Sequence, residues 1–396
     1  MTTVLVFIIL LGILVFVHEL GHFLAARKSG MAVHEFAIGF PPFLIGFYID
    51  PKTKKRVWVT RNKAKQDIIS TGAGISESKQ FHYPNTLYAL NLLPLGGYVK
   101  IKGENGEMDN EKDSFGAQKA WKRIVVLVAG VTMNFLFAAF LLAIGFMTGL
   151  PTDVSDGVPP GAEVITEPVV SIQQVMGNSA AEDAGLKLGD KIITLDNESV
   201  KETTDVINYV KENGTKEMAL QIERKTKEGE TIIENISVTP RGEEGETPKM
   251  GIMLVKEAQI KYPWYKAIWM GLRQAVITIG FMFMSFFLLF KSLIFGGGVS
   301  AEVAGPVGIA TIVGDSYRLG MAYLINVATM ISLSLAVINI LPIPALDGGR
   351  VVFVLLEKIM GKKVPIKYEQ IAHMIGFSLL MLLILIVTVR DVMKLF

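Results

Sequence analysis

Val15-Phe-Val-His18-Glu19-Leu-Gly-His22-Phe-Leu-Ala-Ala26 is the stretch on which the reading of this chain turns. Two histidines four apart on a helix project from one face about a turn from each other, so their imidazoles can share one zinc ion. Glu19, adjacent to the first, can reach a water at that ion. The surroundings are apolar: the run from Val4 to Ala26 carries no charge before Glu19. Ionisable groups in or against a bilayer are expensive unless something compensates them, and metal ligation is such a compensation. The run ends at Arg27-Lys28-Ser29-Gly30, a basic helix C-terminus followed by a glycine stop. Met1-Thr2-Thr3 supplies no basic n-region, so the segment reads as a retained span and not as a cleaved signal peptide.

The whole chain shares this apolar bias. Its 396 residues are 51% hydrophobic and 19% charged, more apolar than an ordinary soluble protein, and the excess lies in long runs near 4–26, 124–148, 274–295, 319–346 and 371–389. A formal net charge of +2 gives no global basic field, so no nucleic-acid partner is expected. With no cysteine in the chain, a metal site must be built from His, Asp or Glu. Lys52, Lys54, Lys55, Arg56, Arg61, Lys63, Lys65, Lys119, Lys122 and Arg123 lie between the first two runs, which makes that loop cytoplasmic by the positive-inside rule.

A catalytic zinc needs a third protein ligand at the depth of the first two, and Asp347 is the outstanding candidate. It follows Asn339-Ile-Leu-Pro342-Ile-Pro344-Ala-Leu, an apolar stretch whose two prolines must disrupt a helix. Disrupted backbone at membrane depth is tolerated where it is buried or lines a cavity. Parity then matters. A full crossing by Ala275 to Phe295 would deliver Asp347 to the face opposite His18 and His22, so that run is expected to lie at the interface or re-enter, leaving four spans. His34 and His82 read as loop residues and His373 as an interfacial residue, none with ligand-like spacing.

Between the second and third runs the sequence turns polar, with period-two strands at Lys191 to Leu195, Met218 to Glu223 and Thr231 to Val238 and a helix near Thr203 to Lys211. Asn178-Ser-Ala-Ala-Glu-Asp-Ala-Gly-Leu-Lys-Leu-Gly-Asp-Lys-Ile-Ile-Thr-Leu-Asp-Asn197 resembles the PDZ signature, which implies a groove that accepts an extended peptide or, if unused, a domain that only obstructs access. On the cytoplasmic side, Gly96-Gly97 followed by Tyr98-Val99-Lys100 reads as a short hairpin or edge strand, able to pair with an unwound segment or simply to close a loop.

With both motifs in view, His18 to His22 and Asn339 to Gly348 resemble the H-E-x-x-H and N-x-x-P-x-P-x-L-D-G motifs of the site-2 protease family. Pro94 to Lys100, Gly305-Pro306-Val307-Gly308 and the single PDZ-like unit resemble its bacterial RseP/RasP-type branch. The resemblance implies one Zn2+ per chain held by His18, His22 and Asp347, with Glu19 as general base. It implies a substrate-handling role for Asn339, Pro342 and Pro344, and for Gly97, Tyr98 and Val99. It also implies intramembrane cleavage of single-span transmembrane proteins, such as anti-sigma factors or remnant signal peptides, in the bacterial plasma membrane, with the site near the cytoplasmic side and the PDZ domain outside gating access. Ala129-Gly130-Val-Thr-Met-Asn134 departs from the family by lacking a proline.

The expected fold is therefore a polytopic α-helical membrane protein of four transmembrane helices with an inserted extracytoplasmic α+β PDZ domain. Residues 1–30 hold the first helix, 31–120 a cytoplasmic loop with a membrane-associated β-hairpin, and 121–150 the second helix. The PDZ domain takes 157–256, an interfacial or re-entrant segment 262–300, the third helix 318–348 and the fourth 370–391.

Overall fold

The computed structural model describes residues 2–61, 83–104, 111–226, 230–242, 249–295 and 305–393, so Lys63, Lys65 and His82 lie outside the described residues. The apolar runs are helices: α1 (Thr2–Lys28), α2 (Ala120–Thr148), α5 (Trp264–Phe295), α7 (Met321–Ile340) and α9 (Ile366–Met393). Shorter helices are α3 (Ala180–Asp183), α4 (Thr203–Asn213), α6 (Pro306–Leu319) and α8 (Asp347–Met360). Five of these are long and apolar enough to cross a membrane, one more than expected, the addition being Trp264–Ser292.

Two expectations change here. Residues 264–295 form one unbroken helix, so the described part of the 262–300 segment contains no re-entrant turn; Lys291 falls in the last turns of α5, where a charge need not interrupt an apolar helix. The third span does not run through to Asp347 either. It stops at Ile340, the proline-bearing stretch forms a tight turn with Ala345 at φ 82, and Asp347 is the first residue of α8. Proline lacks the amide proton that would continue the helix, so the chain must be re-initiated.

The chain divides into two compact units, Met1–Ala138 with Ala275–Ala310 and Met330–Phe396, and Ala139–Gln274 with Thr311–Thr329. The first contains a sheet of β1 (Val33–Ile49), β2 (Arg56–Thr60) and β3 (Leu87–Ile101), so His34 sits in a strand and not a loop. Phe36 is paired with Val99 on one side and Tyr88 on the other, and Ala37 with Tyr98 and Ala89. The start of β1 is therefore held between the two ends of β3. Gly39 (φ 80) and Gly96 (φ 83) let the two long strands bend around each other, and a side chain at Gly96 would run into the Phe40 ring. No turn closes a hairpin at Gly96-Gly97: β3 continues, leaving Gly97–Ile101 along a sheet edge. Ala26, Met31, Val33, Ile101, Phe115, Val126, Leu127 and Val354 form the cluster that fixes α1, the sheet, α2 and α8 together.

The second unit is built on a sheet ordered β10-β9-β7-β6-β11-β4, from β4 (Leu150–Asp153), β6 (Val169–Val175), β7 (Lys191–Leu195), β9 (Met218–Lys225), β10 (Thr231–Val238) and β11 (Ile252–Lys261), with two-residue β5 (Glu163–Val164) and β8 (Glu198–Ser199) at its margin. β7, β9, β10 and α4 fall where alternation and periodicity predict them, whereas β4, β6 and β11 carry no such expectation. Val206 and Val210 of α4 cover a core containing Ile172, Leu195, Met218, Leu220 and Ile222. The Glu202 and Asp205 capping box starts that helix. Asp190, 1% exposed, receives Arg224 through Nε at 2.7 Å and Nη2 at 2.6 Å, which compensates the burial of both charges.

Candidate metal centre

α1 brings His18 and His22 to one face, both 8% exposed, and the turn after α7 brings Asp347 to meet them. The His18 Nε2 and His22 Nε2 atoms lie 3.2 Å apart, and Asp347 Oδ2 lies 3.1 Å from the first and 3.3 Å from the second. A zinc ion with nitrogen and oxygen ligands at about 2.0–2.1 Å in a tetrahedron holds those ligands about 3.3 Å from one another. Three lone-pair-bearing atoms at that spacing fit such an ion. Asp347 also starts α8, whose unsatisfied amides favour a carboxylate at that end.

The outer contacts fix the tautomers. His22 Nδ1 donates to the Val126 carbonyl at 2.8 Å, so its Nε2 is left as a lone pair facing the centre. His18 Nδ1 lies 3.2 Å from the Asn134 amide nitrogen, while Asn134 Oδ1 is buried without a partner. Both facts resolve if the amide presents Oδ1 instead: it accepts the Nδ1 proton, and His18 Nε2 is freed for a metal. Val126, Gly130 and Asn134 are spaced by four and form one stripe of α2. A Cβ at Gly130 would lie 2.4 Å from His22 Nε2 and 2.8 Å from His18 Nε2, and one at Gly21 would lie 2.4 Å from the Ala129 carbonyl oxygen. Only glycine at those two places lets the imidazoles and the α2 backbone approach this closely. The sequence signal for this stripe was a Gly and an Asn four apart inside a span.

Glu19 is not one of the three converging groups. Its side chain stands beside the edge of β3, with Glu19 Cγ 3.7 Å from where a Gly97 Cβ would be. Tyr98 turns into its own sheet, donating to Glu35 Oε1 at 2.9 Å and stacking on Phe40, and Val99 packs into the cluster at the foot of α1. Burial pushes the Glu35 carboxyl up, and burial beside Glu35 raises the Tyr98 phenol, which keeps it a donor. At Gly97 to Val99, then, the strand offers its backbone more than its side chains. Asn339 lies half-buried in the last turn of α7, outside the contacts of His18. Pro342 is exposed, while Pro344 packs against Gly376 of α9. His373, read from the sequence as interfacial, accepts a hydrogen bond from the Ala345 amide at 2.8 Å.

A His-Glu-x-x-His helix joined by an aspartate from a distant, proline-broken turn, set among membrane-length helices, defines a membrane metallopeptidase. The model of peptidase family M50 matches residues 6–59 and 57–383. A putative zinc metalloprotease of Fusobacterium nucleatum is 34% identical over 401 residues, covering 100% of this chain and 99% of that protein. The regulator of sigma-W protease RasP of Bacillus subtilis is 30% identical over 445 residues, covering 100% and 99%. A putative zinc metalloprotease of Rickettsia conorii is 32% identical over 408 residues, covering 100% of each. A solved PDZ domain of an SdrC-like protein of Listeria monocytogenes matches 23% of this chain and 92% of that chain at 22% identity and a TM-score of 0.20, a likeness that carries no fold assignment. The chain belongs to peptidase family M50 and is a zinc metalloendopeptidase of the site-2 type.

The Asn134 contact makes a prediction. Asn134→Leu removes the acceptor for His18 Nδ1 and should weaken zinc binding about 10–100-fold, whereas Asn134→Asp keeps an acceptor and should stay near the parent. Competition with a chromophoric chelator on the purified protein measures both; equal affinities for parent and Asn134→Leu would remove Asn134 from the site.

Proposed function

We propose that His18, His22 and Asp347 hold the zinc and that Glu19 is the general base of an endopeptidase acting on transmembrane segments of single-span proteins. The convergence of three donor atoms at tetrahedral spacing, 3.1 to 3.3 Å apart, carries this reading. When bound, zinc supplies Lewis acidity to a water and to the scissile carbonyl. Glu19 accepts the proton of the attacking water and hands it to the leaving amide nitrogen as the C–N bond breaks. A helical substrate hides its peptide bonds, so a segment must unwind first. The edge of β3 from Gly97 to Val99, beside Glu19 and without a further strand partner among the described residues, supplies backbone partners for that segment as an added strand. Asn339, Pro342 and Pro344 are assigned to substrate handling on the same reading.

Orientation follows from charge and parity. The basic residues between α1 and α2 put that loop, and the site, at the cytoplasmic side of the bacterial plasma membrane. α1 and α7 both deliver ligands from their C-terminal ends, so they run the same way across the bilayer. With α2 returning between them, the chain from Trp264 to Gly320 makes no net crossing. Four net spans and an external second unit with a PDZ-type groove result. That unit excludes substrates that still carry a bulky external domain, which makes the enzyme a second cutter. The Bacillus subtilis relative is named regulator of sigma-W protease; anti-sigma factors are accordingly the substrate class proposed here.

Glu19→Gln should keep one zinc per chain and lose about 10²–10⁴-fold in the rate of cleaving a transmembrane substrate in detergent. A variant that cleaves as fast as the parent would leave a membrane-anchored scaffold with a metal as the surviving reading. Deleting residues 157–256 should allow uncut substrate to be processed, and continued dependence on a prior cut would end the gating idea. Because the chain has no cysteine, single Tyr265→Cys and Tyr317→Cys variants can be labelled cleanly in sealed vesicles. Both should react with an impermeant maleimide from the outer face, and labelling from opposite faces would refute the absence of a net crossing.

A further inference from the structure

The last helix, α9, is sparsely packed, as α5 is. Across its span window only 6% is buried, and Gly376 is the one residue among the described residues of α9 that is. What buries Gly376 is the turn that carries Asp347. A Cβ there would lie 2.3 Å from the Pro344 carbonyl oxygen and 2.8 Å from Pro344 Cβ. One turn earlier on the same helix, His373 Nδ1 accepts the Ala345 amide proton at 2.8 Å, and its ring lies 5.7 Å from that of Phe353 in α8. Ala345 is the residue at φ 82, a conformation that an L-residue with a Cβ rarely adopts and that persists only where its surroundings hold it.

We propose that His373 is a positioning residue for the metal centre: by fixing the Ala345 amide, with Gly376 admitting Pro344, it sets the turn that aims Asp347 Oδ2 at His18 and His22. The geometry is consistent at each step. With flanking prolines that donate nothing, the Ala345 amide is the lone backbone donor between Ile343 and Leu346, so its partner controls the middle of the turn. Leu346 N returns to Ile343 O at 3.2 Å and Gly349 N to Leu346 O at 3.1 Å, which passes that control to the first turn of α8. Because Nδ1 accepts, the ring proton is on Nε2. Glu369 Oε1 is 3.8 Å from Nε2, beyond a direct bond. This inference rests on the zinc reading of the previous section, and its test separates the two.

Asn presents an oxygen where the imidazole has Nδ1, while Phe keeps the ring beside Phe353 and has no acceptor. Zinc affinity by chelator competition and the visible spectrum of the cobalt-substituted full-length protein are the readouts. His373→Phe is expected to bind zinc about 10-fold more weakly and to alter the cobalt bands, and His373→Asn to restore both to near the parent. If His373→Phe does not fold, Gly376→Ala tests the same turn through Pro344 and is expected to show the same loss. Parent-like affinity and spectrum in His373→Phe or, where that variant fails, in Gly376→Ala would overturn the proposal, as would an Asn variant as impaired as Phe. A parent that binds no zinc would instead bring down the metal reading, and this inference with it.

Discussion

His18, His22 and Asp347 direct three lone pairs into one small volume inside an apolar helix bundle, with 3.1 to 3.3 Å between the atoms. Without a cation, groups so placed repel each other and forgo water, a burial that costs several kcal/mol per ionised group. A divalent ion turns the same crowding into ligation. Much of the first unit can be read as a consequence of that requirement. α2 must come close enough to α1 to supply the Val126 carbonyl and the Asn134 amide, and this is why Gly21 and Gly130 face each other's helices without side chains. Ser332 donates to the Asn134 carbonyl at 2.9 Å and so draws α7 into the same cluster.

The broken backbone before Asp347 serves the same end. A continuous helix through residues 339–347 would present Asp347 on a regular surface, with its carboxylate at the end of a span. Two prolines, a left-handed alanine and Gly348, whose Cβ would lie 2.2 Å from the Leu341 carbonyl oxygen, instead fold the chain back so that the aspartate begins a new helix. Such irregular backbone at membrane depth needs protein around it. α8 is anchored by the Arg123 to Glu357 pair at 2.5 Å and by Arg350 to Glu104, and α9 closes over Pro344. Strain in the turn is thus held by contacts on three sides.

How far the sequence reveals this differs by kind of interaction. The i, i+4 histidine pair and an aspartate after prolines are local patterns, and their residue types name the chemistry before any fold is known. Helices in the apolar runs and strands with period-two alternation are likewise local. Contacts of long sequence separation leave weaker traces: nothing around His373 marks it as the partner of an amide 28 residues earlier. Gly96-Gly97 suggests a tight turn, but the pairing of both ends of β3 with β1 carries the strand onward. Parity argues against a crossing by Ala275 to Phe295, but length and composition favour one helix there, and parity constrains only the net path of the chain that follows.

Placing a sheet edge beside Glu19 also bears on specificity. A segment leaving its helix in a low-dielectric site must find new partners for every amide and carbonyl it exposes, or forfeit several kcal/mol for each. An edge such as Gly97–Ile101 meets that demand with main-chain groups, which every residue except proline can match. Its own side chains at Tyr98 and Val99 are already committed to Glu35, Phe40 and the core. On the proposed reading, recognition at the cut is therefore of extended backbone, and selectivity must come from how readily a given transmembrane helix unwinds and from what the external unit lets through. Helix propensity, lowered by Gly, Pro or β-branched residues near the cut, then becomes the property on which substrates differ.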